Sequence, residues 1–332
     1  MNLALFGAGR IGSIHATNLQ AIEGIQLRYI SDPNPHSAQT LAKRTGAQVA
    51  NVEEILADKN IDAVVIASST DTHSQLLLQA TQAGKHVFCE KPIDLSLERA
   101  KLCQQAVKES GITCMIGFQR RFDPTFYAAK QRLESGEIGN PEILIITSRD
   151  PAAPSLDYLK VSGGIFRDML IHDFDICRWI LDDEIISVQA SASCLTNPEI
   201  RHQANDFDTT AVTLTTRQGR LCQINTSRRA AYGYDQRFEV LGERGMIQCA
   251  NHRPTEVVVW NNQHISQDLP EYFFLQRYRE AYRLEIIHFL DCLINTTKPR
   301  TSIDDGVAAQ RIADAATLSA QQNKCISLEN DV

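Results

Sequence analysis

A lysine inside an otherwise apolar segment is the first residue of this chain whose position suggests chemistry. Lys91 follows Phe88, Cys89 and Glu90 and precedes Pro92. A charge in apolar surroundings is unfavourable unless it has a partner or a function. A lysine held there can donate a hydrogen bond to an oxygen on which negative charge develops during a reaction. The alternative is a solvated loop lysine, because so short a motif is weak evidence on its own.

A second set of reactive side chains lies in residues 165–181, a mostly apolar segment that we predict to be one helix. Asp168, His172 and Asp175 follow each other at spacings of four and three, which puts them on one helix face. A histidine beside a carboxylate is suited to act as a general base. The alternatives are a favourable N-terminal charge for Asp168, a buried structural histidine for His172 and a supporting role for Asp175. A metal site is less favoured, because the sequence offers no matching set of ligands elsewhere.

A glycine-rich motif near the N-terminus indicates how a cofactor is held. The apolar run Leu3–Phe6 leads into the pattern GxGxxG and then into a helical pattern of apolar residues. In this context the first glycine permits a tight turn, the second lets the backbone approach a pyrophosphate, and the third lets helix and strand pack closely. A glycine turn without a ligand is the alternative. The predicted cofactor-binding residues of the motif are Gly7, Ala8, Gly9, Arg10, Ile11 and Gly12.

An aspartate follows the next predicted strand, Gln26–Ser31. Asp32 lies about twenty residues beyond the glycine motif, where an acidic side chain accepts hydrogen bonds from the adenosine ribose. Because a carboxylate repels a 2′-phosphate, NAD is favoured over NADP. A simple Asp-Pro turn with Pro33 is the alternative.

Small polar residues follow the buried strand predicted for Ala63–Ala67. Ser68, Thr70 and His73 lie just beyond its carboxyl end, where open α/β sheets bind ligands. We expect these three side chains to line the cofactor, with a surface histidine in the first turn of a helix as the alternative for His73.

The order of predicted elements defines two domains. In residues 1–119 strands alternate with helices, which predicts a Rossmann-type α/β domain with a doubly wound parallel sheet. In residues 120–332 most strands follow one another with short connections, which predicts an α+β domain with a large open antiparallel sheet. This half also contains a long predicted helix, Phe274–Asn295, and a last helix at 305–322, which we expect to pack back on the first domain.

Composition excludes several classes of protein. The 332 residues carry a net charge of −7, which disfavours a nucleic-acid surface, and no apolar run approaches membrane-spanning length. Nine scattered cysteines without a CxxC pair indicate reduced thiols in a cytoplasmic protein. One face of the second sheet is rich in Thr and Val, and we expect it to form a homo-oligomer interface, in a dimer or tetramer.

Together these motifs resemble the glucose-fructose oxidoreductase, inositol dehydrogenase and MocA (Gfo/Idh/MocA) family over nearly the whole chain. The resemblance rests on the glycine motif, on Glu90-Lys91-Pro92, and on an aspartate and a histidine four residues apart after Gly163-Gly164. Within the family, the stretches most similar to bacterial inositol dehydrogenases are residues 87–92, 117–123, 172–175 and 232–235.

The resemblance implies NAD-dependent oxidation of a cyclic polyol, with conversion of myo-inositol to 2-keto-myo-inositol as the first expectation. It implies that Lys91, Asp168 and His172 form the catalytic group. It also implies cofactor contacts from Glu90, Lys91 and Gln119. The substrate contacts that it implies are those of the catalytic group and of Arg121, Asp150, Asp175, Tyr234 and Tyr282.

Two positions depart from the inositol enzymes. Gln119 and Asp150 stand where those enzymes have methionine and asparagine, so the substrate stays open between an inositol and another sugar, polyol or sugar-derived acid. A non-catalytic NAD-binding regulator on the same fold is a further alternative. It would need the glycines and Asp32 but not the catalytic group.

Overall fold

The computed structural model describes residues 1–329 and divides the chain into two compact units. Unit 1 consists of Met1–Phe122 and Ala281–Gln310, and unit 2 consists of Asp123–Glu280 and the residues from Arg311 onward. Among the described residues, the structure contains no helix that is both long and apolar enough to cross a membrane.

The first part of unit 1 alternates between strands and helices, and it ends in a short 3₁₀ helix. Its elements are β1 Asn2–Phe6, α1 Arg10–Gln20, β2 Gln26–Ser31, α2 Pro35–Thr45, β3 Gln48–Val49, α3 Val52–Ala57, β4 Ala63–Ile66, α4 Thr70–Gln82, β5 His86–Glu90, α5 Leu97–Ser110, β6 Cys114–Gly117 and the 3₁₀ helix Gln119–Phe122.

The six strands of unit 1 form a parallel sheet in the order β3-β2-β1-β4-β5-β6. The strand order reverses between β1 and β4, and in sheets of this topology ligands bind outside the carboxyl ends of the strands at this point. Strands of a parallel sheet are covered on both faces and are therefore apolar throughout. β4 is buried at every residue. The predicted Rossmann-type sheet is confirmed.

The remaining elements begin in unit 2, and two long helices, α12 and α13, contain residues of both units. These elements are α6 Pro124–Glu134, β7 Pro141–Arg149, α7 Leu156–Val161, α8 Ile165–Asp168, α9 Ile171–Leu181, β8 Ile185–Ser193, α10 Pro198–Ala204, β9 Thr209–Thr216, β10 Leu221–Ser227, β11 Asp235–Gly242, β12 Gly245–Cys249, β13 Val258–Trp260, β14 Ile265–Gln267, α11 Phe274–Arg277, α12 Arg279–Asn295, α13 Ile303–Gln322 and β15 Ile326–Ser327.

The large sheet of unit 2 has seven strands in the order β12-β11-β7-β10-β9-β8-β15. Along β9, Val212 and Leu214 are buried in the core while Ala211 and Thr213 are exposed, as the period of two predicts. Each neighbouring pair is antiparallel except β7 and β10. The chain returns from β7 to β10 through α7–α10, β8 and β9, and the sheet is therefore mixed instead of purely antiparallel.

The alternating pattern of residues 255–261 also predicts a strand of this sheet, but the structure has that strand outside the large sheet. It is shortened to β13, which pairs only with β14 in a separate hairpin. Period-two patterning marks a strand but does not identify its partner.

The helix predicted for residues 165–181 is interrupted, which corrects the prediction of one polar face. The N–H groups of Met169 and Leu170 both donate to Ile165 O, and hydrogen bonding restarts at Leu170 O, which accepts from Asp173 and Phe174. The segment is therefore the two helices α8 and α9. The helix predicted at 274–295 is likewise divided, at the fully buried Tyr278, into α11 and α12.

Residues 281–310 were expected in the second domain, but the structure groups them with unit 1. Ile286, Phe289 and Leu290 of α12 are part of the unit 1 core. Downstream, the carbonyl of Thr301 accepts a hydrogen bond from Ile116 N–H of β6 at 3.0 Å. The final helix, α13, accordingly belongs to unit 1 up to Gln310 and to unit 2 from Arg311.

Candidate active site

The glycine turn packs as its motif predicts. Gly7 has φ +102°, and a Cβ on it would lie 2.5 Å from the backbone of Ala67 and Ser68. A side chain is strained at this φ whatever the space. A Cβ on Gly12 would lie 2.0 Å from the Gly7 carbonyl oxygen. Both glycines are needed for α1 to lie against the ends of β1 and β4.

Gly9 fits the approach of a phosphate. It is the N-cap of α1, and among the described residues nothing beyond its chain neighbours lies within 4 Å of where a Cβ would stand. Within the same described part of the chain, no side chain caps this helix, and its first turn carries no acidic residue. The positive end of the helix dipole therefore favours an anion here. This turn fits the pyrophosphate of a dinucleotide.

Asp32 is anchored beside the glycine turn. One carboxylate oxygen accepts from Ala8 N–H at 2.6 Å, and the other accepts from Asn34 N–H at 2.7 Å. The contact with Asn34 belongs to the Asp-Pro turn that was the alternative interpretation of Asp32. The contact with Ala8 joins the same carboxylate to the glycine motif. Since a carboxylate has about four acceptor positions, Asp32 can also accept from a ribose hydroxyl.

The polar residues beyond β4 have different surroundings. Ser68 Oγ is hydrogen-bonded to Thr72 Oγ1 at 2.6 Å, and Thr70 is the first residue of α4. His73 is 2% exposed, with Nδ1 at 2.8 Å from Pro92 O and Nε2 at 3.1 Å from Ser68 O. It is therefore not a surface histidine. Both ring nitrogens contact backbone carbonyls, so His73 joins the end of β4 to Pro92, and its contact with the cofactor stays a prediction.

Lys91 lies in a turn held by buried polar contacts. The Lys91–Pro92 peptide bond is cis, as proline in a tight turn permits. Asp94 accepts a hydrogen bond from Ser74 Oγ of α4 at 2.5 Å. With the contact between His73 and Pro92, two residues of α4 fix the chain just beyond Lys91.

A buried cluster of two carboxylates and an imidazole adjoins this turn. His15 Nε2 lies 2.7 Å from Glu90 Oε1, and polar atoms of His15, Glu90 and Glu285 all lie within 4.8 Å of one another. Burial raises the pKa of Glu285 well above its usual value, and the charge of Glu90 raises it further. The Glu90 carboxylate contacts an imidazole inside unit 1, and its contact with the cofactor stays a prediction.

The 3₁₀ helix after β6 contains the buried residues Gln119 and Arg121. Arg121 donates to Arg300 O and to Asp305 Oδ1, each at 3.0 Å. Its guanidinium therefore joins the 3₁₀ helix to the start of α13 within unit 1, a structural role that the predicted substrate contact did not include.

The two predicted substrate tyrosines are buried in different units. Tyr282, in unit 1, meets the ring of His15 edge-on with centroids 5.9 Å apart. Tyr234, in unit 2, meets the ring of Tyr278 edge-on with centroids 6.0 Å apart. Each ring is 5% exposed.

Asp168, at the end of α8 in unit 2, has Tyr158 and Arg228 among its partners. The Tyr158 hydroxyl donates to Oδ1 at 2.8 Å, and Nη2 of Arg228 lies 3.5 Å from Oδ2. Arg228 is 1% exposed, and the same nitrogen lies 3.6 Å from Asp206 Oδ2. Asp206 Oδ1 accepts from Ile165 N–H at 2.9 Å, so this network also fixes the start of α8.

Burial raises the pKa values of two residues of this network, Tyr158 and Asp206. Desolvation raises the pKa of Tyr158, and the Asp168 carboxylate raises it further, so the phenol remains a donor. Burial likewise raises the pKa of Asp206, against the Ile165 N–H and the Arg228 charge, which lower it.

His172 and Asp175 lie on α9 and are 9% and 1% exposed. Their spacing of three keeps them on one helix face, whereas Asp168 precedes the interruption. Asp150 follows β7. Its backbone N–H donates to Ser227 O at 2.9 Å, and its backbone carbonyl accepts from Ala230 N–H at 2.8 Å. These two contacts place Asp150 beside the residues that flank Arg228.

Sequence reasoning missed Tyr158, Arg228 and the cluster of His15 and Glu285. Tyr158 lies in α7, within a segment rich in Pro, Ser and Gly that reads as a loop. Arg228 had a detectable signal, because it continues the alternate buried positions Cys222, Ile224 and Thr226 of β10. An arginine at a buried strand position requires a carboxylate partner.

Comparison with known proteins identifies two family regions. Residues 1–118 match the oxidoreductase family domain described as an NAD-binding Rossmann fold. Residues 130–328 match the C-terminal alpha/beta domain of the same oxidoreductase family.

Individual relatives are similar over their full length. The chain is 42% identical to the inositol 2-dehydrogenase of Rhizobium meliloti over 99% of both chains. It superposes on the crystal structure of a putative myo-inositol dehydrogenase from Sinorhizobium meliloti with a TM-score of 0.96, at 42% identity and 99% coverage of both chains. It superposes on the scyllo-inositol dehydrogenase of Lactobacillus casei, crystallised with NAD(H) and scyllo-inositol, with a TM-score of 0.91, at 29% identity and 98% coverage of both chains.

The open position of Gly9 generates a testable prediction. Gly9→Ala should leave the fold intact, because its φ of −74° suits alanine and the added methyl meets no atom. The methyl group should nevertheless obstruct a pyrophosphate, so that the Kd for NAD rises about tenfold or more. Fluorescence titration with NAD and a thermal melt check both halves of this expectation.

Gly12→Ala is the contrasting variant, because its methyl would collide with the Gly7 carbonyl and should lower the melting temperature. Unchanged NAD affinity in a folded Gly9→Ala protein would contradict the assignment of the turn.

Proposed function

Because the chain belongs to the Gfo/Idh/MocA family of oxidoreductases, we propose that it oxidises myo-inositol to 2-keto-myo-inositol with NAD. The observation that carries the proposal is the presence of Lys91, Asp168 and His172 in a chain that is 42% identical to an inositol 2-dehydrogenase over 99% of both lengths. A non-catalytic NAD-binding regulator would need the glycine turn and Asp32, but it would not need these three residues together.

NAD is the cofactor of this domain, and the glycine turn and Asp32 are the residues that would hold it. When bound, NAD supplies the acceptor for the hydride that leaves the alcohol carbon. The turn offers the N-terminus of α1 to the pyrophosphate, and Asp32 offers acceptors to the adenosine ribose.

The catalytic group takes up the proton of the substrate hydroxyl and stabilises the negative charge that develops on its oxygen. His172 removes the proton of the substrate hydroxyl, and Asp168 orients the imidazole and stabilises its charged form. Lys91 donates a hydrogen bond to the same oxygen while the C–O bond becomes a carbonyl. The C–H hydrogen leaves with its electron pair, so the products are a ketone, NADH and a proton on His172.

We further propose that the protein is a homo-oligomer assembled through unit 2. The outer face of the large sheet exposes Leu221, Leu241 and Met246. The hairpin β13–β14 and the residues that flank it expose a denser apolar group, consisting of Val257, Val258, Val259, Trp260, Ile265, Leu269 and Tyr272. Apolar clusters of this kind on a folded chain are typical of contacts with a second copy.

The proposed compartment is the cytoplasm. The nine cysteines are all free thiols in the structure, and seven of them are buried. Free thiols persist in reducing compartments, whereas oxidising ones favour disulfides.

NADH formation by the purified protein tests the proposed reaction. Myo-inositol, scyllo-inositol, D-chiro-inositol, glucose and xylose are offered in turn, each with NAD and with NADP. We expect turnover on myo-inositol with NAD. Turnover on a sugar alone would retain the mechanism but reassign the substrate, with Gln119 and Asp150 as the first residues to exchange for methionine and asparagine. NAD binding without turnover on any compound would favour the regulator.

Replacement of Lys91 tests the proposed oxyanion donor. Lys91→Met should lower kcat roughly a hundredfold or more, the scale for loss of such a donor, while NAD affinity stays nearly unchanged. The matched control is Lys101→Met on the exposed face of α5, which should retain full activity. Undiminished turnover in the Lys91→Met variant would remove the residue from the mechanism.

A charge in the hairpin tests the proposed assembly. Trp260 is 73% exposed, so Trp260→Glu should leave the subunit folded but weaken the contact between copies. Light scattering after size exclusion should then report a lower mass than for the unchanged protein. Leu102→Glu, at a position 59% exposed on α5, is the control and should keep the original mass. The same mass for both variants would contradict a role for the hairpin.

A further inference from the structure

Each carboxylate oxygen of Asp168 has its own partner. Tyr158 donates to Oδ1 at 2.8 Å, while Arg228 Nη2 approaches Oδ2 at 3.5 Å. A carboxylate bound at one oxygen can rotate about its terminal torsion, which is broad for aspartate. Partners on both oxygens restrict that rotation.

The Arg228 side chain is buried, and its neighbours fix its position. Its side chain is 1% exposed, and its backbone N–H donates to Asp208 O at 2.8 Å. A buried guanidinium is costly unless carboxylates surround it, and Asp168 and Asp206 supply them at 3.5 Å and 3.6 Å. Because Asp206 also binds Ile165 N–H at the start of α8, the cation is fixed relative to the helix that carries Asp168.

Tyr158 contributes little to the core. Its residue surface is 47% exposed, and it lies on the short helix α7, whose N-terminus is capped by Ser155. The raised pKa of Tyr158 keeps its hydroxyl protonated. Its contact with Asp168 is thus separable from packing, since removal of the hydroxyl leaves the ring in place.

We propose that Tyr158 and Arg228 are positioning residues that hold the Asp168 carboxylate in its reactive orientation. This inference rests on the proposed function, in which Asp168 orients His172. Neither residue needs to contact substrate or cofactor for this role. Their loss should lower kcat more than it raises the KM of the polyol, because it misplaces a group that acts in the chemical step.

Tyr158→Phe is the first test. A hydrogen bond to a charged group corresponds to about a tenfold effect, so we expect kcat to fall about tenfold, with NAD affinity unchanged and the melting temperature lowered by a few degrees at most. The matched control is Asp157→Asn on the same helix, whose side chain is 93% exposed and which should keep full kcat. Unchanged kcat in the Tyr158→Phe protein would overturn the role of this residue.

Arg228 is tested by a graded pair of variants. Arg228→Lys retains a cation and should recover part of the activity lost in Arg228→Met, whereas a purely structural role would track the melting temperature instead. Arg229→Met is the control, because the neighbouring arginine is exposed. If Arg228→Met does not fold, Arg228→Lys and Tyr158→Phe carry the test. Full kcat in a folded Arg228→Met protein would overturn the inference for Arg228.

Crystal structures of Tyr158→Phe and Arg228→Lys separate this inference from the proposed function. We expect the Asp168 carboxylate to rotate in both. An unrotated carboxylate would overturn the positioning role whether or not the protein oxidises a polyol. Rotation in a protein that turns over none of the panel would support positioning while the proposed function fails.

Discussion

The close packing of the glycine turn is the constraint on which the site of unit 1 depends. A Cβ on Gly12 would lie 2.0 Å from the Gly7 carbonyl, and one on Gly7 would lie 2.5 Å from the backbone of Ala67. Only glycine therefore lets α1, β1 and the end of β4 meet. Asp32 takes its position from the same turn, because it accepts a hydrogen bond from Ala8 N–H. Residues distant in sequence thus reach one sheet edge through a single steric requirement.

Buried polar contacts also hold the turn that carries Lys91 in place. Glu90 contacts His15 of α1, and Pro92 contacts His73 of α4. Buried polar groups stabilise a fold when they are paired, and they then specify one arrangement. His73 was expected at the cofactor because it follows a strand end, and Glu90 because of the family resemblance. In the structure the side chains of Glu90 and His73 also fix the chain on both sides of Lys91.

The sequence predicts those features whose causes are local. The glycine turn and the parallel strands follow from residue types at short spacing, and so does the alternation of buried and exposed residues in β9. The assignment of residues 281–310 to unit 1 could not be predicted, because the apolar face of α12 indicates burial but not which core receives it. The break in the helix between α8 and α9 could not be predicted either, since Met169 and Leu170 fit an uninterrupted apolar helix. Arg228 was predictable in burial, but its pairing with Asp168 joins residues 60 positions apart.

The two carboxylates of the polar network in unit 2 have different roles. Asp206 is committed to the Ile165 N–H and to Arg228, and its role is therefore to fix α8. Asp168 differs, because its Oδ1 accepts from the Tyr158 hydroxyl and its Oδ2 lies beside Arg228 Nη2. In the proposed function, a carboxylate of fixed orientation is what a base-orienting group requires. The two donors that restrict the rotation of Asp168 would thus support the role proposed for it towards His172.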